Sequence, residues 1–314
     1  MRVILHIGVH KTGTSALQWF LHRNAALLSD RGVFYKPTST AWPNHNPLVA
    51  AFLPDSEDHG PDRLAKTLEE AGERTLLISS EMLCDHNIDL DLFLSLLEGH
   101  DVRTIAYIRH PSDIIISAFN EVVRHYDRHW TRPLNERPFA YDPSQIDILR
   151  RWLKVPNLTL APYDRAQWVG GSIFSDFLAT IGVSGDGFDY SLAGGNESLP
   201  YPLVEALRLL NTANPSADQH RAIVETLRTI KGEPGEYPLT PENVAICIKQ
   251  MRQTLPHYRP HFRPGFQETF LLEPRPARGA PYTTGVKVSA KFARAVKSFA
   301  QRAARMFQRS ADNP

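Results

Sequence analysis

The chain is short of several things, and each shortage narrows what it can be. Among 314 residues there are only two cysteines, Cys84 and Cys247. Two thiols outside any CxxC pattern exclude a disulfide framework and a four-thiolate zinc site, and they fit buried, unreactive side chains. No wholly apolar run approaches the about 18 to 20 residues that span a bilayer, and no leader-like pattern precedes the first strand-like segment. A soluble, cytoplasmic protein is the expectation. HExxH, paired histidines and Asp-rich clusters are missing too, so no metal is expected. Net charge is nearly absent, with 35 Lys plus Arg against 34 Asp plus Glu, and no nucleic-acid partner is expected.

What is present is core material: 42% of residues are hydrophobic and 22% charged, a balance that excludes disorder, collagen and coiled coil. The charge is also unevenly placed. Lys287, Lys291, Arg294, Lys297, Arg302, Arg305 and Arg309 face a single acid, Asp312, so the tail is basic and the preceding chain slightly acidic. In the same tail Phe292, Val296, Phe299, Ala303 and Met306 repeat at helical spacing. The pattern predicts a basic amphipathic helix over 286–314, either docked on the protein or in peripheral contact with a membrane.

Along the body, Arg2 to Gly8 reads as a buried strand and Thr14 to Leu28 as a helix. A polar loop from Lys36 to Pro47 follows. Helices are predicted at 61–71, 90–97, 111–122 and 144–153, with strands at 75–79, 102–108 and 158–161. This alternation predicts an α/β fold with a parallel sheet covered on both faces. After about residue 170 helices dominate, at 173–180, 202–210, 217–230 and 242–255. The expectation is one α/β domain over 1–285 with a helical C-terminal elaboration.

Between the first strand and first helix lies Gly8-Val9-His10-Lys11-Thr12-Gly13-Thr14-Ser15. Two glycines five apart let successive N–H groups and a helix N-terminus converge on an anion, although a tight turn between strand and helix needs no ligand. In GxxxxGK[ST] a lysine follows the second glycine. Here Thr14 stands there and the lysine is Lys11, inside the loop. The loop suits a phosphate but lacks the lysine that reaches the β and γ phosphates of a triphosphate.

A second candidate anion site follows the 102–108 strand. Arg109 leaves at a carboxyl end and Ser117 stands eight residues on, in the next helix. An arginine at a strand end equally suits a surface ion pair. Taken together, the loop with its internal lysine and the later R-x7-S resemble the sulfotransferases that use 3′-phosphoadenosine 5′-phosphosulfate (PAPS), and KTGTSAL is most similar to the loops of carbohydrate and glycosaminoglycan sulfotransferase domains. The resemblance covers about residues 2 to 165. It implies a P-loop-like fold, and Lys11, Thr12, Gly13, Thr14 and Ser15 around the 5′-phosphosulfate. It further implies Arg109 and Ser117 around the 3′-phosphate, and a carbohydrate or glycolipid acceptor. Arg275 to Gly279 is the candidate for the family's C-terminal cofactor loop.

Sulfuryl transfer asks the protein to position the nucleophile and to stabilise charge on the leaving phosphate, a task the resemblance gives to Lys11. Glu81, just past the 75–79 strand, stands where the family places its base. Burial would raise its pKa toward working pH, while an acid in a first helical turn needs no such role. His10 and His45 are its competitors. The reading is therefore a PAPS-dependent sulfotransferase acting on a hydroxyl, with an amine as alternative acceptor. Two rivals stand beside it: a nucleotide or small-molecule kinase with an atypical phosphate loop, and a non-catalytic nucleotide-binding or membrane-associated protein.

Overall fold

The computed structural model describes residues 1–39, 41–128, 130–136, 144–191, 199–230 and 239–273. The basic tail and Arg275 to Gly279 lie outside the described residues. In chain order the elements are β1 (Arg2–His6), α1 (Thr14–Arg23), α2 (Ala25–Asp30), β2 (Val33–Phe34), α3 (Asn46–Ala50), α4 (Gly60–Ala71), β3 (Thr75–Ser79) and α5 (Leu90–Ser95). They continue with β4 (Asp101–Ile108), α6 (Pro111–Arg124), α7 (Ile146–Leu149), β5 (Leu158–Pro162), α8 (Ile173–Ile181), α9 (Tyr201–Asn211), α10 (Ala217–Thr229) and α11 (Pro241–Tyr258).

All five strands are parallel, in the order β2-β3-β1-β4-β5. The period-2 geometry of a strand sends alternate residues to opposite faces. Val3 and Leu5 of β1, Leu76 and Ile78 of β3, and Ala106 and Ile108 of β4 accordingly join one core with α3, α4, α5 and the C-terminal half of α11. Ile4, Leu77, Ile105 and Tyr107 join the other, with α1, α2 and α8. The fold is therefore α/β with a parallel sheet buried on both faces, as the sequence predicts.

Three boundaries differ from expectation for local reasons. The first predicted helix is divided at Asn24, whose Nδ2 donates to the Phe20 carbonyl at 2.9 Å while its Oδ1 accepts from Asp189 N at 2.8 Å. The helix expected over 144–153 is reduced to α7, which begins only after Gln145 at φ 59°, and a 3-10 turn, Trp152–Lys154. β2 is only two residues long, too short to register as a pattern.

Two compact units are present. The first comprises Met1–Pro111, Asp142–Asn196 and Cys247–Glu273, and the second, where described, lies within Ser112–Tyr141 and Glu197–Ile246. The second unit is helical where described. Within it Asn120 donates to the Leu199 carbonyl at 2.8 Å and Asn211 to the Val123 carbonyl at 3.0 Å, tying α6 to α9 through buried amides. Both cysteines are buried and unbridged, and burial raises the Cys247 thiol to about 11. Among the described residues, no helix is long and apolar enough to cross a membrane.

In the first unit the segment after α11 lies along β5. Phe262 bridges Leu160, and the Phe262 and Phe266 rings stack 3.9 Å apart. Arg263 Nη1 reaches both carboxylate oxygens of the fully buried Asp176 at 2.8 Å. Tyr107 donates to the same carboxylate at 2.9 Å.

Candidate functional site

A parallel sheet presents its strand-to-helix loops along one carboxyl edge, and ligands bind there where the strand order reverses. β1 is the central strand, so its loop sits at that reversal. The loops after its neighbours, which carry Glu81 and Arg109, flank it.

The loop between β1 and α1 is folded by its left-handed residues. Gly8 has φ 80°, Lys11 φ 70° and Gly13 φ 76°. A Cβ on Gly8 would stand 3.0 Å from Glu81 Cγ and 3.2 Å from Thr14 Cγ2, so glycine there admits the Glu81 side chain. A Cβ on Gly13 would meet the Tyr163 hydroxyl at 2.9 Å. Lys11 has no such exemption, and a non-glycine residue in this region costs on the order of 1–3 kcal/mol. Its conformation is held by Arg109, whose Nη1 donates to the Lys11 carbonyl at 2.6 Å. The Arg109 guanidinium in turn lies 5.1 Å from the Tyr163 ring centroid, over its face.

Glu81 joins the loop through both oxygens. Thr14 Oγ1 donates to Oε1, and His10 Nδ1 lies 3.2 Å from Oε2. Burial pushes the carboxyl up, but hydrogen bonding and charge from His10, the Thr14 hydroxyl and the Lys11 charge outweigh it, and the group lies below the ordinary carboxylate value. The expected rise is corrected in direction: these partners stabilise the charged form more than burial penalises it.

The two threonine hydroxyls expected at a phosphate are committed inside the protein. Thr14 serves Glu81, and Thr12 Oγ1 donates to the Val9 carbonyl at 2.7 Å. The donors that remain for an anion at this end are the first-turn N–H groups of α1, which helix geometry leaves without intrahelical acceptors. Ser15, half-buried, is the second residue of that helix. The space beside Gly13 is filled by Tyr163, and the N-terminus of α1 stands behind the loop.

Ser79, the last residue of β3, is bound from three sides. His6 Nδ1 lies 2.8 Å from its hydroxyl, Gln18 Nε2 donates to that hydroxyl at 3.2 Å, and its N–H donates to His45 Nδ1 at 3.2 Å. His45 is fully buried, and burial lowers its pKa to about 4 against the backbone hydrogen bonds of Ser79 and Lys36. It fixes the end of β3 from the N-cap of α3 and is too deeply enclosed to meet an acceptor.

Arg109 is thus brought to the loop, with Lys11, Glu81 and His10. Ser117 belongs to the second unit, half-buried on α6. Two further residues take part without a motif to mark them. Gln145 is buried at φ 59° and donates from Nε2 to the His10 carbonyl at 3.1 Å. Tyr163 follows β5 at the same carboxyl edge as Arg109, and that position was the available clue. Comparison of the chain with protein-family models, with curated proteins and with solved structures returns no match.

Proposed function

We propose that the chain transfers a sulfuryl group from PAPS to a hydroxyl of a carbohydrate or glycolipid. The observation that carries this is the union of loop, Lys11, Glu81 and Arg109 at one carboxyl edge: the arginine holds the lysine carbonyl at 2.6 Å and the glutamate is bonded to two loop residues. Lys11 sits within the loop, where a cation can neutralise the oxygen that leaves with the donor's 5′-phosphate. The donor supplies the sulfuryl group. The α1 N-terminus and Lys11 hold its phosphosulfate, and Glu81 with His10 manage the acceptor's proton. Arg109 is proposed to hold the 3′-phosphate. A kinase has less support, because the position after Gly13 is Thr14, whose hydroxyl is bonded to Glu81.

The test is thermal stabilisation by 3′,5′-bisphosphoadenosine beside AMP and ADP. At a hundredfold excess over Kd a ligand adds about 2.7 kcal/mol. The bisphosphate is expected to stabilise the protein more than either competitor, with the gain lost in Lys11→Ala and in Arg109→Ala. No preference for the 3′-phosphate would remove the donor assignment.

A further inference from the structure

We propose that the cleft between α7 and the C-terminal half of α11 binds a small phosphorylated polyol, an inference independent of the sulfuryl-transfer reading above. The cleft has a volume of about 700 Å³, within the range of about 300–1,000 Å³ that small-molecule sites occupy. The described residues that line it all belong to the first unit. The elements that wall it meet in the core, where Leu149, Trp152, Met251, Leu255 and Tyr258 are buried in one hydrophobic cluster. The Tyr258 hydroxyl also donates to the Ser144 carbonyl at 2.6 Å, which ties the last turn of α11 to the chain ahead of α7. The two walls are therefore fixed by packing without help from a ligand.

The rows that face the cleft are polar, where helices that pack on one another ordinarily present apolar side chains. On α11, Gln250, Gln253, Thr254 and His257 follow the i, i+3, i+4, i+7 spacing of a single face. Arg150 and Lys154 line the other wall. Among the described residues, Lys154, Gln253 and His257 make no hydrogen bond or ion pair. Arg150 Nη2 meets Asp147 at 2.9 Å, but the two side chains are 67% and 63% exposed, and so weak a pair can be shared with an incoming anion. Thr254 is committed locally, its hydroxyl donating to the Gln250 main-chain carbonyl at 3.1 Å.

Gln250 Oε1 points to the rest of the ligand. It is buried and accepts no hydrogen bond, an arrangement that costs stability in the free protein. A methionine would fill the same space without that cost, so the amide is accounted for by a hydroxyl that donates to it on binding. One wall thus offers an ammonium and a guanidinium to a phosphate. The other offers an acceptor, an amide and an imidazole to hydroxyls, and Ile146, Leu153 and Pro256 supply apolar surface for the carbon skeleton.

Isothermal titration of the full chain with glucose 6-phosphate, beside glucose and inorganic phosphate, tests this. The sugar phosphate should bind saturably and more tightly than either fragment. Lys154→Ala should weaken it about 10-fold, the loss of one charge-assisted contact. Gln250→Met should weaken it about 5-fold and at the same time raise the melting temperature of the ligand-free protein, because the buried acceptor is gone. A lowered melting temperature with unchanged affinity would make the amide a structural group and overturn the assignment. Inorganic phosphate binding as tightly as the sugar phosphate would reduce the cleft to an anion contact and overturn the polyol site. Affinity lost in Lys11→Ala but kept in Lys154→Ala would place the binding at the loop after β1 instead. No saturable binding of any of the three would overturn the site outright.

Discussion

Gly13 and Tyr163 lie 150 positions apart, yet the glycine has no room for one more carbon because of the tyrosine. Two separate penalties meet there, a φ of 76° and a Cβ placed 2.9 Å from the Tyr163 hydroxyl. Gly13→Ala should therefore lose about 2–5 kcal/mol, the sum of left-handed strain and overpacking. Adding Tyr163→Ala should recover the packing part and leave the conformational part, which a double-mutant cycle of urea midpoints will separate. At this scale the sequence was partly readable. Glycines, lysine and a glutamate past a strand could be found because such chemistry has a fixed order in the chain. The direction of the Glu81 shift could not, since it depends on donors 67 and 71 residues away. Gln145 was unreadable for a similar reason: a glutamine in a left-handed, buried position looks like any other glutamine until the His10 carbonyl is beside it.

The elements were read best where their pattern was long. β3 runs Thr75–Ser79 as the apolar run predicts, and α8 runs Ile173–Ile181 from a serine cap to a left-handed glycine. β2, with two residues, and the break at Asn24 needed the tertiary structure, because what decides them is a neighbouring strand and a distant aspartate backbone. Element ends also hold the buried histidines, His6 closing β1 and His45 capping α3. Burial lowers each pKa from 6.5 to about 4, with the Glu81 charge opposing it at His6 and backbone hydrogen bonds at His45. Each imidazole is neutral in the folded state at pH 7. Between pH 6.5 and 4 the unfolded chain takes up protons that these sites refuse, so stability falls as pH drops through that window and the loss levels off below it. A loss of about 3 kcal/mol per histidine is the upper scale of the effect. Calorimetric melting between pH 7 and 4.5 should show the decline, reduced in His6→Gln.

For the molecule as a whole, the sequence order conceals the assembly. The second unit is built from stretches that interrupt the first, and hydrophobic periodicity carries no record of which distant stretches meet. The stretch from 257 to 266 carries aromatics and arginines with no motif to place them. In the first unit it is an anchored strap, and Asp176 is where it is fastened. That carboxylate is fully buried and receives Arg263, Tyr107 and the Val169 N–H. Removing one member of such a set leaves buried partners uncompensated, a loss of about 3–5 kcal/mol. Asp176→Ala should show it in denaturant unfolding, with new proteolytic cleavage between Arg259 and Leu271. Asp176→Asn, which keeps the volume and some of the hydrogen bonds, should fall between it and the wild type. Cleavage unchanged in both would mean that the aromatic stack alone holds the strap.

Lys11 occupies a backbone conformation that glycine or asparagine adopts at less cost. Selection for thermal resistance alone would discard it, whereas selection for an ammonium group facing an anion would retain it. On the sulfuryl-transfer proposal, folding and chemistry make opposed demands on this position, and the Arg109 bond to the Lys11 carbonyl holds the conformation that folding disfavours.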